Sequence, residues 1–560
     1  MAGLLCSLIG ILNLISGITP ADRPRVRALT QVLPGTVSHT AAAATVVAGV
    51  LLLLLARALR RRKRRAWRAV VALLTLSVAL HVVKGLDVEE AVIAALLLGP
   101  LLYYRREFGA KGDPRTRYRA IWIFALLLGT SVLLGFALIE IRERRIVGPH
   151  PFGAVLRHIL LGLVGVEGPL RFRSDRTTDL VGQVLGGLGL VTALTTVYLI
   201  LRPPSPRAML LASEEERIRA LLAKQGFRDS LGYFALRRDK SVVWSPSGKA
   251  VIAYRVVSGV MLASGDPIGD PEAWPGAVAR FLDIAADHAW VPAVMGCSEA
   301  AGTAYARAGL SALEIGDEAI VPIEDFSLEG RAMRNVRQAV ARVERAGYST
   351  QVRRIRDIPP EEQTLLRSQA AAWRGAETER GFSMALGRFG DPADGDCVSV
   401  TATQETDDGP VLRAFLHFVP WGPDGLSLDL MRRDKAADNG LNEYLIVSAL
   451  RAAPDLGVVR LSLNFAVFRS ALERGERLGA GPVLRAWRGL LLFASRWFQI
   501  ETLYRFNAKF RPVWEPRFVC YPAARDLPRI AIAALEAEAF IVFPRPSLAR
   551  IGRLALGRAG

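Results

Sequence analysis

The sequence predicts a multi-pass α-helical membrane domain followed by a mixed α/β domain built from two copies of one module. Three observations carry this. The first two hundred residues hold a series of apolar runs near membrane-spanning length. Pro203-Pro-Ser-Pro206 ends the last run, and beyond it short apolar strands alternate with amphipathic helices. The order of those elements then recurs from residue 410 onward, although residue identity between the halves is negligible.

At 560 residues the chain exceeds what one core can hold. It is 51% hydrophobic and carries a formal charge of +19, which together point to a membrane protein with polyanionic partners, either anionic lipid or nucleic acid. The four cysteines, Cys6, Cys297, Cys397 and Cys520, show no Cys-x-x-Cys spacing, so neither a zinc site nor a disulfide framework is indicated. They read as reduced thiols.

Taken in order, apolar runs near 4–19, 41–58, 68–86, 89–104, 119–140 and 178–201 suggest about six spans in residues 1–202. No small-residue cleavage site follows the first, so it is kept as a helix. The basic loops at 57–65 and 105–119 belong in the cytoplasm by the positive-inside rule, and Asp87-Val-Glu-Glu90 on the opposite side. Both termini, and the α/β domain, are then cytoplasmic. Loop 141–177 falls outside, and its apolar piece His158–Val166 is a candidate interfacial or re-entrant segment.

After the linker, 203–212, Ser213 is the expected N-cap of a helix, with Glu216 closing a capping box. Strands at Tyr233–Arg237, Ser241–Ser245 and Ala250–Val257 begin a first module over 213–329. A basic helix over 330–347 follows, with Arg331, Arg334, Arg337, Arg342 and Arg345 on or near one face. A solvated face and a phosphate-tracking stripe for RNA or lipid headgroups both fit that pattern. The second module, 348–522, holds strands at Val411–Val419, Gly425–Arg432 and Val458–Asn464, and helices near 439–453 and 467–477. Residues 523–560 read as an amphipathic helix over Leu527–Val542 and a basic tail suited to anionic lipid.

Phosphate loops, Gly-x-Gly-x-x-Gly units, His-Glu-x-x-His and Gly-x-Ser-x-Gly are all missing, which disfavours nucleotide hydrolysis, hydride transfer, zinc proteolysis and serine chemistry. Gly265-Asp-Pro-Ile-Gly269 reads as a turn, since Asp266 would repel phosphate. His417, in mid-strand, reads as structural. Three polar clusters remain. The first is Asp429 with Arg432 and Arg433 at a strand end, joined by Asn439, Asn442 and Glu443 at the next helix start, where backbone and side-chain groups converge. Regular pleating would put Asp429 and Arg432 on opposite faces, so a shared site requires a break near Met431. A buried structural ion pair is the alternative. The second is Asn464, at the same rim of the sheet. The third is Leu503–Phe518, where Arg505, Lys509, Arg511 and Arg517 interleave with aromatics. Such a run suits phosphate contacts with stacking, or forms an ordinary aromatic hairpin.

Six stretches together resemble the bacterial phosphatidylglycerol lysyltransferases, or multiple peptide resistance factors. They are Leu231–Lys240, Ser264–Gly269, Glu314–Ala319, Gly381–Met384, Ser427–Arg432 and Lys509–Arg517, in order across about 213–522. The resemblance implies a tandem acetyltransferase-like (GNAT) fold. It also implies transfer of an aminoacyl group, lysyl in the type members, from aminoacyl-tRNA to phosphatidylglycerol at the plasma membrane. The product would lower negative surface charge and give resistance to cationic antimicrobial peptides.

On this reading Asp429 and Arg432 are catalytic. Arg433, Asn439, Glu443, Asn464, Arg505, Lys509, Arg511 and Arg517 bind substrate, and the five arginines of 331–345 are candidate tRNA contacts. No metal or other cofactor is implied, and homo-oligomerisation is left open. Family members look larger at the N-terminus, where extra helices flip lipid. Some actinobacterial relatives carry a fused lysyl-tRNA synthetase, for which the residues after 523 leave no room, so Lys-tRNA from the general pool is the expected donor. The competing readings are transfer to a lipid-linked peptidoglycan precursor, and a non-catalytic membrane protein that binds anionic lipid or RNA.

Overall fold

The computed structural model describes residues 2–18, 49–53, 55–56, 59, 64–85, 88–103, 105, 114–201, 208–375, 379, 381–467 and 500–541. The chain divides between Pro204 and Ser205 into two compact units.

In the N-terminal unit the apolar runs form α1 (Ala2–Ile18), α2 (Arg64–Gly85), α3 (Val88–Tyr103), α4 (Pro114–Ile141) and α6 (Asp175–Leu201), with α5 (Phe152–Leu163) between the last two. Most of the expected span at 41–58 lies outside the described residues. Among the described residues, Trp122–Ile141 and Asp175–Thr196 are helical, long and apolar enough to cross a membrane. The apolar piece of loop 141–177 forms α5, whose Val155 and Ile159 pack with Ile139 of α4 and Leu185 of α6. A Cβ on Gly189 would lie 1.7 Å from the Leu163 carbonyl oxygen, so only glycine permits this approach of α5 to α6.

The first half of the α/β unit comprises α7 (Ala212–Gln225), β1 (Ser241–Trp244), β2 (Ala250–Val257), β3 (Val260–Ser264), β4 (Ile268–Gly269), α8 (Trp274–Asp287), β5 (Val291–Cys297), α9 (Glu299–Arg307) and β6 (Ser311–Pro322). The second comprises α10 (Arg334–Arg345), β7 (Tyr348–Arg354), α11 (Pro360–Arg374), β8 (Val398–Thr406), β9 (Gly409–Trp421), β10 (Gly425–Arg433), α12 (Leu441–Ala452), β11 (Arg460–Val467), α13 (Ile500–Ala508), β12 (Val513–Tyr521) and α14 (Leu527–Ala537). Two local expectations are corrected. Tyr233–Arg237 is a 3-10 turn over Gly232–Leu236 rather than a strand, closed by i→i+3 bonds from the Phe234 N–H to the Leu231 carbonyl at 3.1 Å and from the Arg237 N–H to the Phe234 carbonyl at 3.3 Å. Helix α7 begins two residues too early for Ser213 to cap it, and the Glu214 carboxylate instead accepts the Leu211 N–H at 3.1 Å. The expected helix at 467–477 and the basic tail beyond 541 lie outside the described residues.

Among the described residues, twelve strands join one sheet in the order β1-β2-β3-β5-β12-β6-β11-β10-β9-β8-β7, with β4 on β2. The strand pairs are antiparallel except β3–β5 and β10–β11. Each exception is a strand–helix–strand crossover, through α8 and through α12, because parallel neighbours need a long connection. These two crossovers are the repeat. The last strand of each half is exchanged: β12 lies between β5 and β6, and β6 lies between β12 and β11.

Separate cores cover the faces. Trp274, Phe281 and Tyr305 fill the one under α8 and α9. Val336, Val340 and Val343 of α10 pack with Leu441 and Leu445 of α12 over the second half. Their spacing puts all three valines on one side of α10 and leaves its arginines exposed.

Candidate active site

Strand β10 starts regularly against β9, but its register slips between Leu428 and Leu430, which pair with the adjacent residues Phe418 and His417. Asp429 is therefore the extra residue of a β-bulge. The bulge resets the alternation. Leu428 and Met431 pack into the core under α10 and α12, while Leu430 packs into the core on the other face. Asp429 and Arg432 then line one pocket of about 120 Å³. The break that a shared site requires is present, two residues before Met431.

The neighbouring strand holds the bulge in place. Asn464 sits in β11 at φ +66°, within a second register shift between Ser462 and Phe465. Its side-chain amide donates to the Leu428 carbonyl, and its own N–H donates to Ser462 Oγ at 3.1 Å. Parallel pairing of β10 with β11 runs only from Gly425 to Ser427, after which the two strands follow β9 and β6 apart. In the first half the equivalent strands β3 and β5 stay paired over five residues.

Asp429 is nearly buried, its side chain 4% exposed, and each carboxylate oxygen has a partner. Oδ1 accepts the Leu386 N–H at 2.6 Å, and Oδ2 lies 2.7 Å from His417 Nδ1. An ionised carboxylate only accepts, so the proton of this contact sits on Nδ1. The His417 ring meets Phe389 edge-on with centroids 4.9 Å apart, and its Nε2 is buried without a hydrogen-bond partner among the described residues. Arg432 reaches Glu379 at 3.6 Å, and Glu379 also pairs with Arg374. The loop bearing Leu386 is fixed from outside: Arg237 donates to the Ala385 carbonyl at 3.0 Å, and the Glu538 carboxylate accepts the N–H groups of Phe382 and Ser383 at 2.7 and 3.0 Å.

The other expected site residues are dispersed. Arg433 alternates away from Arg432 at the end of β10. Asn439 is exposed, and its carbonyl accepts Arg342 of α10 at 3.0 Å. Glu443 is paired with Lys509 at 2.6 Å, so the two charges offset each other at the start of α12. Arg505 and Arg511 are exposed, the latter in the left-handed region at φ +53°. Asn464 acts on the β10 backbone, away from the pocket lining.

Arg517 is a correction. It is 3% exposed and lies in the first half, bonded to Glu318, to Asp229 at 2.8 Å, to Ser230 Oγ at 2.8 Å and to the Gly296 carbonyl at 3.2 Å. No phosphate of RNA or lipid reaches it there. Asp266 joins this cluster by accepting the N–H and hydroxyl of Ser298 at 2.7 and 2.6 Å. Burial, and then the Asp229 charge, push its carboxyl up to about 7 against the pull of Arg517.

His417, read from the sequence as structural, contacts Asp429; a regular hairpin counted out from the Gly422–Gly425 turn would set the two opposite each other, and the bulge shifts the backbone partner of His417 to Leu430. Arg374 and Arg388, also in the pocket lining, carried no sequence signal.

Two family descriptions match this chain. "Phosphatidylglycerol lysyltransferase, C-terminal" matches residues 219–521, and "Transmembrane region of lysyl-tRNA synthetase" matches residues 1–201. The chain is an α/β domain joined to a transmembrane region, and it belongs to the phosphatidylglycerol lysyltransferase family. A relative from Rhodococcus opacus, described as lysylphosphatidylglycerol biosynthesis bifunctional protein LysX, is 44% identical over 486 residues, 86% of this chain and 43% of that protein. One of the same description from Mycolicibacterium gilvum is 45% identical over 460 residues, 82% of this chain and 41% of that protein. The chain spans about two-fifths of the length of these relatives. The solved structure of L-PGS from Bacillus licheniformis aligns with a TM-score of 0.49 at 22% identity, over 60% of this chain and 99% of that one.

Proposed function

We propose that this protein transfers an aminoacyl group, lysyl by the description of its relatives, from aminoacyl-tRNA to a hydroxyl of phosphatidylglycerol at the cytoplasmic face of the plasma membrane. The observation that carries this is the β10 bulge, which turns Asp429 and Arg432 into one pocket beside the split between two parallel strands. The donor ester is already activated, so the site has only to align the acceptor hydroxyl, assist its deprotonation and stabilise the tetrahedral oxyanion. Asp429, held by His417 and the Leu386 N–H, orients the hydroxyl, takes its proton as the new ester bond forms, and gives it to the departing tRNA ribose oxygen as the old ester bond breaks. Arg432 faces the oxyanion. Asn464 maintains the bulge.

The remaining assignments belong to the same reading. The transmembrane region crosses the membrane about six times, and the α/β unit is a tandem acetyltransferase-like domain whose second module is catalytic. The five exposed arginines from Arg331 to Arg345 track tRNA phosphates, with anionic lipid as the second partner. Lipid extracts from cells expressing the wild type and Asp429→Asn test the proposal by mass spectrometry. The wild type yields aminoacyl-phosphatidylglycerol and the variant none, with both proteins equally abundant in the membrane. Product from the variant at the wild-type level refutes the site. Altered peptidoglycan stems without the lipid product refute the acceptor.

A further inference from the structure

The pocket beside Asp429 is lined by four arginines, Arg367, Arg374, Arg388 and Arg432, against two carboxylates, Glu379 and Asp429. Both carboxylates are engaged, Asp429 by His417 and Leu386, and Glu379 by Arg374 and Arg432. The arginines are engaged only in part. Arg388 has a side chain 5% exposed and spends two guanidinium nitrogens on anions, Nε on Asp394 at 2.7 Å, and Nη2 on Asp394 at 2.9 Å and Glu215 at 2.8 Å. Among the described residues, its Nη1 is buried with no hydrogen-bond partner. Arg374 Nε, in the same lining, is likewise buried and unpartnered. A buried charged donor without an acceptor is costly and rare in a folded protein, and two in one pocket mark where a ligand's acceptor oxygens belong.

We infer that Arg374 and Arg388 form a phosphate subsite for the phosphodiester of the acceptor lipid headgroup, beside Asp429. This rests on the reading of the pocket given under Proposed function. An anion satisfies both donors, whereas the ammonium of a transferred lysyl group would meet four guanidinium groups and no unengaged carboxylate. In a phosphoglycerol headgroup the phosphate and the terminal hydroxyl are separated by one glycerol, so seating the former in this small pocket brings the latter to Asp429. The 5′ phosphodiester of the terminal tRNA nucleotide likewise lies one ribose from the ester oxygen, so the measurements below separate the two sources of phosphate. Arg388 is pre-oriented for the task by its fork to Asp394 and Glu215, so little entropy is lost on binding.

Two measurements on the purified full chain test this. In the first, phosphatidylglycerol and aminoacyl-tRNA are varied in turn against Arg374→Gln and Arg388→Lys, the latter keeping a cation beside Asp394 but losing the fork. The KM for phosphatidylglycerol rises about ten- to a hundredfold in each, while the KM for aminoacyl-tRNA stays within about twofold. A rise confined to aminoacyl-tRNA, or a fall in kcat with both KM values unchanged, overturns the subsite. The second measures binding of soluble glycerophosphoglycerol and of inorganic phosphate to wild type and Arg374→Gln by calorimetry. The headgroup analogue binds the wild type at least about tenfold more tightly than the variant. Equal binding overturns the subsite whether or not the wild type makes lipid product, whereas loss of product with this difference intact counts against the proposed reaction alone.

Discussion

Replacing His417 with leucine removes one of the two groups that hold Asp429 while keeping an apolar side chain against Phe389. The 2.7 Å contact joins a buried imidazole N–H to a carboxylate that is 4% exposed, so water does not substitute for it. A hydrogen bond to a charged group contributes about 1.5–3 kcal/mol. If Asp429 is held for the transition state, that loss appears in kcat as roughly a ten- to 150-fold decrease at about 1.4 kcal/mol per decade. His417→Asn presents an amide N–H near the position of Nδ1 and recovers most of the rate. The assay is steady-state transfer from radiolabelled Lys-tRNA to phosphatidylglycerol vesicles, with KM and kcat separated and folding checked by thermal melt. Wild-type kcat in the leucine variant would refute the reasoning. So would equal impairment of the leucine and asparagine variants, which would mean that only ring volume matters.

Other perturbations follow from the same geometry. Arg517→Met leaves Glu318 and Asp229 buried without their counter-ion and destabilises the α/β unit by about 3–5 kcal/mol, read as a lower Tm, while the folded fraction keeps both substrate KM values. Lys240 is fully buried, donating to Ser264 Oγ at 2.7 Å and the Phe234 carbonyl at 3.0 Å, and burial, then the Arg237 charge, push its pKa down to about 7. Between that value and the ordinary 10.5 the unfolded chain binds the extra proton, so stability contributed by this group rises with pH across the window. Lys240→Met flattens the rise in a plot of Tm against pH. Changing Arg334, Arg342 and Arg345 to glutamine lowers the salt dependence of RNA binding, measured by filter retention from low to high salt; an unchanged slope returns that face to solvent.

The two-module order was legible because each half carries its own strand–helix–strand crossover, and hydrophobic period reports such elements directly. Asp429 and Arg432 were legible as a strand end, and the need for a break between them followed from pleating alone. The position of that break was not legible, because it depends on Asn464, thirty-five residues away in sequence, donating to the Leu428 carbonyl. Arg517 was misread for a related reason. Its neighbours Lys509 and Arg511 are exposed and share its composition, and only its pairing with Glu318 and Asp229, in the other half of the sheet, reveals that it is buried. Arg374 and Arg388 lie at a helix end and in the loop after it, a stretch with weak periodicity whose side chains acquire meaning from contacts to Asp429 and Asp394.

The exchange of β6 and β12 bears on how the α/β unit is made. Strand β5 gains its second neighbour only when residues 513–521 have left the ribosome, so the first half cannot complete its hydrogen-bonded ladder while it is being synthesised. Both halves therefore finish folding together, slowly, through contacts distant in sequence. Cleavage between the halves should leave each fragment with an open sheet edge and a tendency to reassociate with its partner.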